Sequence, residues 1–405
     1  MENKNSLFNI LSQAQKEKVG DDFISYIYSN YILSKSNRNR SPLSVQLELS
    51  PVCNFKCGFC YVRKTYSEVE SEGNTIIGFR EWAYYIDECI KLGVNNVTFT
   101  GGECTLHPDF KKIYEYAYKK DLLISLITNA SCITEDIFLL FEKYPPSRIS
   151  ITLYGMSYET YDKTCGNGSA FHIVISNIER LLERGFSVTL NYTAVKTNFC
   201  DMEIAMAYAR EKKIPIFPTD ALICSGRCNS KILEKELIEH REFKEMQLKH
   251  FSKVNNSSYK DMLDLFLTHY SEPIRHNNKG LFCSAGKSAI FINWQGFMIP
   301  CVNFEIVKFD PRKLGFEECW KRLMAWTDDV PLLEECEGCI FFKKCHRCFA
   351  YHYGDMGEFG KVSPRFCFKV LYPEAAAKMQ AEYDRRQAEK ANQETNNATV
   401  QGDLS

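Results

Sequence analysis

Three cysteines within eight residues raise the first question about the chemistry of this 405-residue chain. Cys53, Cys57 and Cys60 stand in the stretch CNFKCGFC. A disulfide uses two thiols, whereas a tetrahedral zinc ion and a closed iron–sulfur cluster each use four. Three thiolates suit a four-iron cluster whose last iron binds a small molecule through nitrogen and oxygen donors. A zinc site with a distant fourth ligand is the alternative.

The cysteine content favours metal or redox chemistry over disulfides. The chain has 18 cysteines, and its start shows no apolar segment after a basic one, so we expect no signal peptide and a cytoplasmic protein. Cytosolic thiols stay reduced, and dense cysteine there more often indicates metal binding. No run of about twenty apolar residues predicts a membrane helix. The net charge of −1 gives no reason to expect nucleic acid or an acidic membrane as partner.

Short β-rich runs alternate with helical stretches from about residue 44. Predicted strands cover 45–50, 96–100, 122–128, 148–155, 187–193 and 214–219, and predicted helices cover 79–92, 108–120, 134–143, 170–184 and 201–212. Such units form parallel strands joined by right-handed crossovers. Six of them predict an α/β fold with a partial, TIM-like (β/α)6 barrel, which would carry its chemistry at the carboxyl ends of the strands.

The remaining segments complete the predicted organisation, in which a C-terminal cysteine-rich iron–sulfur domain follows the barrel. Residues 374–405 begin as a charged helix, and their last dozen residues are too polar to bury a core, so we expect them to be disordered. The predicted parts are an N-terminal helical extension 1–43, the core barrel 44–225, a helical bridge 226–275, the cysteine-rich domain 276–373 and the tail 374–405.

The pattern Cys53-x3-Cys57-x2-Cys60 after a strand, with Phe59 before the last cysteine, resembles the signature of radical S-adenosylmethionine (radical SAM) enzymes. The resemblance implies a [4Fe–4S] cluster held by three cysteines. Its open iron would bind the amino and carboxylate groups of S-adenosylmethionine. Such enzymes generate a 5′-deoxyadenosyl radical that abstracts a hydrogen atom from the substrate, and the protein orients this cofactor chemistry.

A second motif supports the resemblance. Gly101-Gly102-Glu103, after the second strand, resembles the family's GGE motif, in which glycines permit close backbone approach and the carboxylate binds the methionine ammonium group. The family pattern implies further cofactor contacts at Asn129, Thr152 and Lys163. The alternative for each of these three is an ordinary polar residue that faces a loop.

The C-terminal cysteines resemble those of the SPASM domain, an extension of certain radical SAM enzymes that carries two auxiliary clusters. One spacing departs from the family, because two residues instead of three separate Cys345 from Cys348. The family's interleaved ligation implies a distal cluster on Cys336, Cys339, Cys345 and Cys367, and a proximal cluster on Cys283, Cys301 and Cys348. The expected cofactors are therefore S-adenosylmethionine and three [4Fe–4S] clusters.

Two alternatives remain open for these cysteines. A zinc ribbon on Cys336, Cys339, Cys345 and Cys348 would leave the other three unexplained. The proximal set has only three thiols, so either Cys319 closes this cluster or one iron stays open. Cys319 lies in a stretch that reads as helix and equally suits a packed core position.

The resemblance implies a peptide or protein substrate, most simply a ribosomally synthesised precursor peptide that acquires a thioether or carbon–carbon cross-link. Val302 stands where sulfatase-maturating relatives carry an aspartate base, which disfavours that alternative. Small-molecule radical dehydrogenation and a non-enzymatic iron–sulfur electron carrier also remain as alternatives. Expected partners are an external electron donor such as flavodoxin or ferredoxin and a separate leader-peptide recognition protein, because residues 1–40 are short for a recognition domain.

Overall fold

The computed structural model describes residues 21–220, 235–255, 257–268, 280–281, 283–331, 333–341 and 348–402. At its centre is one open eight-stranded sheet. The strands are β1 (Ser44–Glu48), β2 (Asn96–Thr100), β3 (Leu123–Thr128), β4 (Arg148–Leu153), β5 (Val188–Thr193), β6 (Ile216–Thr219), β7 (Ala289–Ile292) and β8 (Met298–Ile299). Their order is β6-β5-β4-β3-β2-β1-β7-β8, and neighbours are parallel except β7 and β8. The predicted partial barrel of six parallel strands is confirmed.

Helices connect successive strands as the periodicity predicts. The helices are α1 (Asp21–Asn39), α2 (Tyr66–Ser71), α3 (Phe79–Lys91), α4 (Phe110–Lys119), α5 (Glu135–Lys143), α6 (Tyr158–Cys165), α7 (Ala170–Glu183), α8 (Met202–Glu211), α9 (His240–Val254), α10 (Tyr259–Thr268), α11 (Pro311–Leu314), α12 (Phe316–Asp329), α13 (Phe349–Met356), α14 (Phe368–Leu371) and α15 (Pro373–Gly402). Helix α3 illustrates the pattern, because it buries Trp82, Tyr85, Ile86 and Cys89 on one face at helical spacing.

The barrel sheet does not end at β1. Strand β7 pairs in parallel with β1, with Ser44 opposite Ala289, and β8 returns antiparallel beside β7. The sequence predicts short strands in this region but does not predict their pairing with β1. The predicted cysteine-rich domain therefore shares a sheet with the barrel.

The last helix differs from the sequence-based prediction. Helix α15 continues to Gly402, whereas the composition predicts a disordered last dozen residues. Residues 374–401 contain neither proline nor glycine, so nothing in the chain interrupts the helical hydrogen bonds. Among the helices that the structure describes, none is both long and apolar enough to cross a membrane.

Candidate active site at the strand ends

A cavity of about 280 Å³ opens at the carboxyl ends of the barrel strands. Five threonines line it, one from the end of each strand from β2 to β6: Thr100, Thr128, Thr152, Thr193 and Thr219. Cys57 and Cys60 form part of its wall, and Asn303 and Tyr351 contribute from the C-terminal region. The cavity thus lies where parallel α/β folds place their ligands, between the cysteine loop and the C-terminal part of the chain.

The two glycines after β2 bring two loop backbones together beside this cavity. Gly102 donates its N–H to the carbonyl of Ser50 at 2.7 Å, and a Cβ on Gly102 would lie 2.5 Å from the carbonyl oxygens of Pro51 and Val52. A Cβ on Gly101 would lie 2.4 Å from the Ser50 carbonyl oxygen. Only glycine allows this approach, so the GGE motif holds the segment that leads into the cysteine loop.

The cysteine-loop thiols are partly enclosed and close together. Burial raises the pKa of Cys53 to about 12, and burial followed by the nearby Cys60 and Cys165 thiols raises the pKa of Cys57. The backbone N–H groups of Phe55 and Arg63 donate to the sulfurs of Cys53 and Cys60, at 3.4 and 3.3 Å. Thiolates at such positions need a compensating cation, which iron supplies. The loop therefore fits a cluster.

Five of the residues predicted to contact the cofactor line this cavity, and Gly101 is one of them. The other four are Phe59, Gly102, Asn129 and Thr152. The Asn129 side-chain amide donates to Asn54 at 3.0 Å and so ties the end of β3 to the cysteine loop. Their cofactor contacts stay predictions, and the structure supports them by placing these residues beside Cys57 and Cys60.

Glu103 does not reach the cavity. Its side chain is fully buried, and its carboxylate accepts hydrogen bonds from the N–H of Thr105 at 3.1 Å, the N–H of Asn129 at 2.8 Å and the hydroxyl of Thr128 at 2.8 Å. The Thr105 hydroxyl also donates to it, at 2.6 Å. With its acceptor positions occupied, this carboxylate holds the loops after β2 and β3 together. The contact of Glu103 with the methionine ammonium group stays a prediction.

Lys163 also lies away from the predicted position. It is exposed on α6, whereas the buried face of that helix carries Tyr161 and Cys165. The carbonyl of Cys165 accepts the N–H of Lys56 at 2.7 Å, so α6 supports the cysteine loop from behind. The helix therefore contributes packing, and helical geometry turns Lys163 outward.

The proximal cysteines lie near one another although they are far apart in sequence. Burial raises the pKa of Cys348 to about 11, and the neighbouring Cys283 thiol raises it further. Burial also raises the pKa of Tyr351, with smaller contributions from Cys348, Asp220 and Cys301. Cys348 thus lies near Cys283, and both Cys348 and Cys301 lie near Tyr351.

Three of the distal cysteines, Cys336, Cys339 and Cys367, also lie near one another. Burial raises the pKa of Cys336 to about 12, and the thiols of Cys339 and Cys367 add to it. Cys345, the fourth predicted member, lies outside the described residues. Among the described residues, no three His, Cys, Asp or Glu side chains converge tightly enough to hold a single metal ion. The grouping of Cys348 with Cys283 favours the interleaved assignment over the zinc ribbon.

Cys319 packs in the core and not beside the proximal cysteines. It is fully buried on α12 within the hydrophobic core that includes Trp320 and Leu323. Burial, with a smaller contribution from Asp310, raises its pKa to about 11. This position supports the core alternative for Cys319.

Several residues around the cavity escape sequence reasoning. The threonine at the end of each strand is a usable signal, because strands β2 to β6 all carry one there. Asn303 and Tyr351 give no such signal, since long-range packing brings them over the barrel.

Comparison with known proteins identifies the class of protein that this fold and site define. Residues 47–209 match the family described as the radical SAM superfamily. The match includes both the cysteine loop and the GGE motif, so the resemblance is confirmed and the chain carries a radical SAM domain. The family implies S-adenosylmethionine and one [4Fe–4S] cluster as its cofactors.

Particular relatives differ in substrate. The chain is 25% identical over 343 residues to the AdoMet-dependent heme synthase of Methanosarcina barkeri, covering 80% of this chain and 96% of that protein. It is 23% identical over 300 residues to the subtilosin biosynthesis protein AlbA of Bacillus subtilis, covering 74% and 62%. The crystal structure of Streptococcus suis SuiB bound to precursor peptide SuiA has the same fold, with a TM-score of 0.60, 15% identity and coverage of 82% and 78%.

Proposed function

We propose that this protein is a radical SAM enzyme that modifies a peptide, with two auxiliary [4Fe–4S] clusters in its C-terminal region. The observation that carries the proposal is the position of the cavity. Cys57 and Cys60 line it together with Tyr351, and Tyr351 also lies near Cys348 and Cys301 of the proximal group. The cavity therefore adjoins the cysteine loop and is bounded by a residue that neighbours the proximal cysteines.

The radical-generating group fits the barrel end of the cavity. Cys53, Cys57 and Cys60 would hold its cluster, while Asn129 and Thr152 present an amide and a hydroxyl for the amino-acid part of S-adenosylmethionine. When bound, these cofactors supply a 5′-deoxyadenosyl radical that takes a hydrogen atom from the substrate. The protein's part is to orient the substrate carbon and exclude water.

The described cavity wall has no charged side chain. Its polar groups are hydroxyls and amides, which pair well with peptide N–H and C=O groups and neutral side chains. A substrate with several carboxylates would leave those charges without a cationic partner at this wall, and burying unpaired charge is costly. This neutrality favours a peptide over a polycarboxylate small molecule.

The expected product is a thioether. The proximal set presents three thiols, Cys283, Cys301 and Cys348, and leaves one ligand position for a group from outside the chain. A cysteine thiolate of the peptide suits that position because iron is a good thiolate acceptor. For each carbon–sulfur bond formed, the hydrogen atom on carbon would go to the 5′-deoxyadenosyl radical, the thiol proton would go to solvent, and the remaining electron would go to the proximal cluster. A carbon–carbon cross-link would also remove two hydrogen atoms but leave the peptide thiol free.

A tetrapyrrole substrate is the second candidate. The heme synthase of Methanosarcina barkeri aligns with this chain over 96% of its own length, further than AlbA does. The neutral cavity wall counts against it. A porphyrin with carboxylate side chains therefore belongs in the same assay as the peptide.

Two partners complete the proposed function. An external one-electron donor such as flavodoxin or ferredoxin would reduce the clusters, and a separate protein would recognise the leader peptide. The proposal includes the predicted domain boundaries after residues 43, 225, 275 and 373. They delimit the barrel, the helical bridge and the cluster-bearing part.

The test uses full-length protein purified and reconstituted without oxygen. It is incubated with S-adenosylmethionine, dithionite and each short cysteine-containing peptide that the genes around its own encode, and in parallel with the porphyrin. We expect 5′-deoxyadenosine and a peptide lighter by two hydrogen atoms per cross-link, with no thiol left to alkylate. A modified porphyrin with an unmodified peptide would establish the second candidate. Absence of 5′-deoxyadenosine in all mixtures would overturn both.

A further inference from the structure

A buried charged group lies directly behind the cavity wall and takes no part in the proposed chemistry. Asp220 follows Thr219, the last residue of β6, and its side chain is fully buried. One of its carboxylate oxygens accepts a hydrogen bond from Nδ1 of His240 at 2.6 Å. Its other oxygen, Oδ1, is buried with no hydrogen-bond partner among the described residues. A carboxylate buried this way is costly and calls for a reason.

The side chains around Asp220 come from two parts of the chain that lie far from it in sequence. His240 opens α9, in the bridge between barrel and C-terminal region. Arg365 donates from Nη2 to the backbone carbonyl of Asp220 at 3.0 Å, and it belongs to the segment that leads into Cys367. Lys244 is the remaining cation, and its interaction with Asp220 opposes the lowering of its pKa by burial. A histidine, an arginine and a lysine thus lie around Asp220.

An aromatic contact continues this arrangement to the cavity. The ring of Phe366 lies edge-on to His240, with 5.6 Å between ring centroids, and 5.6 Å from the ring of Tyr351. Phe366 is itself buried. The hydroxyl of Tyr351 is hydrogen-bonded to Thr219, the residue next to Asp220. The ring of Tyr351 therefore contacts Phe366 and its hydroxyl contacts Thr219, and both of these residues lie beside the Asp220–His240 pair.

We propose that Asp220 is a positioning residue that, through His240 and Arg365, fixes Tyr351 as the C-terminal wall of the cavity. This inference rests on the proposed function where it concerns coupling, by which we mean the amount of modified peptide formed per 5′-deoxyadenosine. A wall out of place leaves the barrel end intact, so the cofactor is still cleaved. The substrate carbon is then poorly oriented toward the proximal cysteines, and small displacements of this kind cost on the order of tenfold to a hundredfold in rate.

The test compares Asp220→Ala with Asp201→Ala in reconstituted full-length protein. Asp201 is a matched control, because it is also a largely buried aspartate and accepts the N–H of Met156 at 2.7 Å within the barrel. Both variants should keep wild-type iron content and substrate-free 5′-deoxyadenosine formation. Only Asp220→Ala should lower the amount of modified peptide per 5′-deoxyadenosine, by about tenfold or more.

Amide hydrogen exchange provides a readout that needs no substrate. Asp220→Ala should accelerate exchange in α13, which carries Tyr351, and leave β2 to β4 unchanged. His240→Asn, which restores a donor near the carboxylate, should recover coupling that His240→Leu loses. If Asp220→Ala does not hold iron, His240→Leu takes its place in the comparison, because it removes the same hydrogen bond, and full coupling in it would overturn the positioning role.

Unchanged exchange in α13, or equally faster exchange throughout the barrel, would overturn the positioning role. Full coupling in the iron-replete Asp220 variant would do the same. Failure of the wild-type protein to modify any peptide would count against the proposed function alone, because the exchange measurement would still decide the role of Asp220.

Discussion

The thiols of the barrel and those of the C-terminal region are positioned by different kinds of backbone. Cys53, Cys57 and Cys60 follow one strand, and the loop after the neighbouring strand packs against them through Gly102. The proximal thiols Cys283 and Cys348 lie near each other although strands β7 and β8 and helices α11 and α12 stand between them in the sequence. Local regularity builds the first group, whereas long-range packing builds the second.

Because of this difference, substitutions in the two regions should have different consequences. Contacts around the cysteine loop involve adjacent parallel strands, whose register already fixes the loops at their ends. The C-terminal thiols depend on the correct pairing of distant segments. We therefore expect substitutions of the barrel cysteines to abolish cleavage of S-adenosylmethionine. Substitutions of the C-terminal cysteines should show which thiols share a cluster.

The largest effect should come from replacing Cys53, Cys57 and Cys60 together with alanine. This variant should lose all cleavage of S-adenosylmethionine and about a third of an iron content of about twelve, because one of three four-iron clusters has no ligands. Cys89→Ala removes a buried thiol from α3 and should keep full iron. Iron and cleavage are measured after identical anaerobic reconstitution. Stoichiometric zinc with negligible iron in the wild type would refute the cluster assignment.

The next effect separates interleaved clusters from a zinc ribbon. Cys283→Ala and Cys348→Ala should each remove about four irons, and the double variant should remove no more than either alone. Cys348→Ala combined with Cys336→Ala should remove about eight. Iron content and the spectra of the reduced protein measure both. Loss of one zinc ion with unchanged iron in Cys336→Ala, in Cys348→Ala and in their double variant would support a zinc ribbon that holds both thiols.

The sequence specifies the barrel better than the C-terminal region, for a physical reason. Strand and helix periodicities place all six barrel strands and their crossover helices, because each unit follows local patterns. The pairing of β7 with β1 has no local signal, and neither does Tyr351 over the cavity. The role of Glu103 is also nonlocal, since its hydrogen-bond donors follow both β2 and β3. Motif spacing identifies such residues but not their contacts.

A smaller effect should come from Glu103→Gln, which tests this structural role. One carboxylate oxygen accepts the Thr105 N–H and the other the Asn129 N–H. A glutamine amide has only one oxygen, so one buried N–H must face an NH2 group. We expect a loss of about 1–3 kcal/mol in the free energy of unfolding. The exposed Glu159→Gln is the control. Unchanged stability with selectively weakened cofactor binding would instead indicate direct contact with the methionine ammonium group.

The smallest effect should come from Cys319→Ala, which tests whether the proximal group closes from within the chain. The side chain is fully buried in the α12 core, so alanine should cost about 1 kcal/mol in stability through lost packing. Iron content and turnover should stay near wild type. Adding a cysteine-containing peptide should then perturb the spectrum of the proximal cluster in both proteins, and a serine-containing peptide should not. Loss of about four irons in Cys319→Ala would show that this thiol is a ligand, and the thioether would lose its main support because the substrate sulfur would have no ligand position to take.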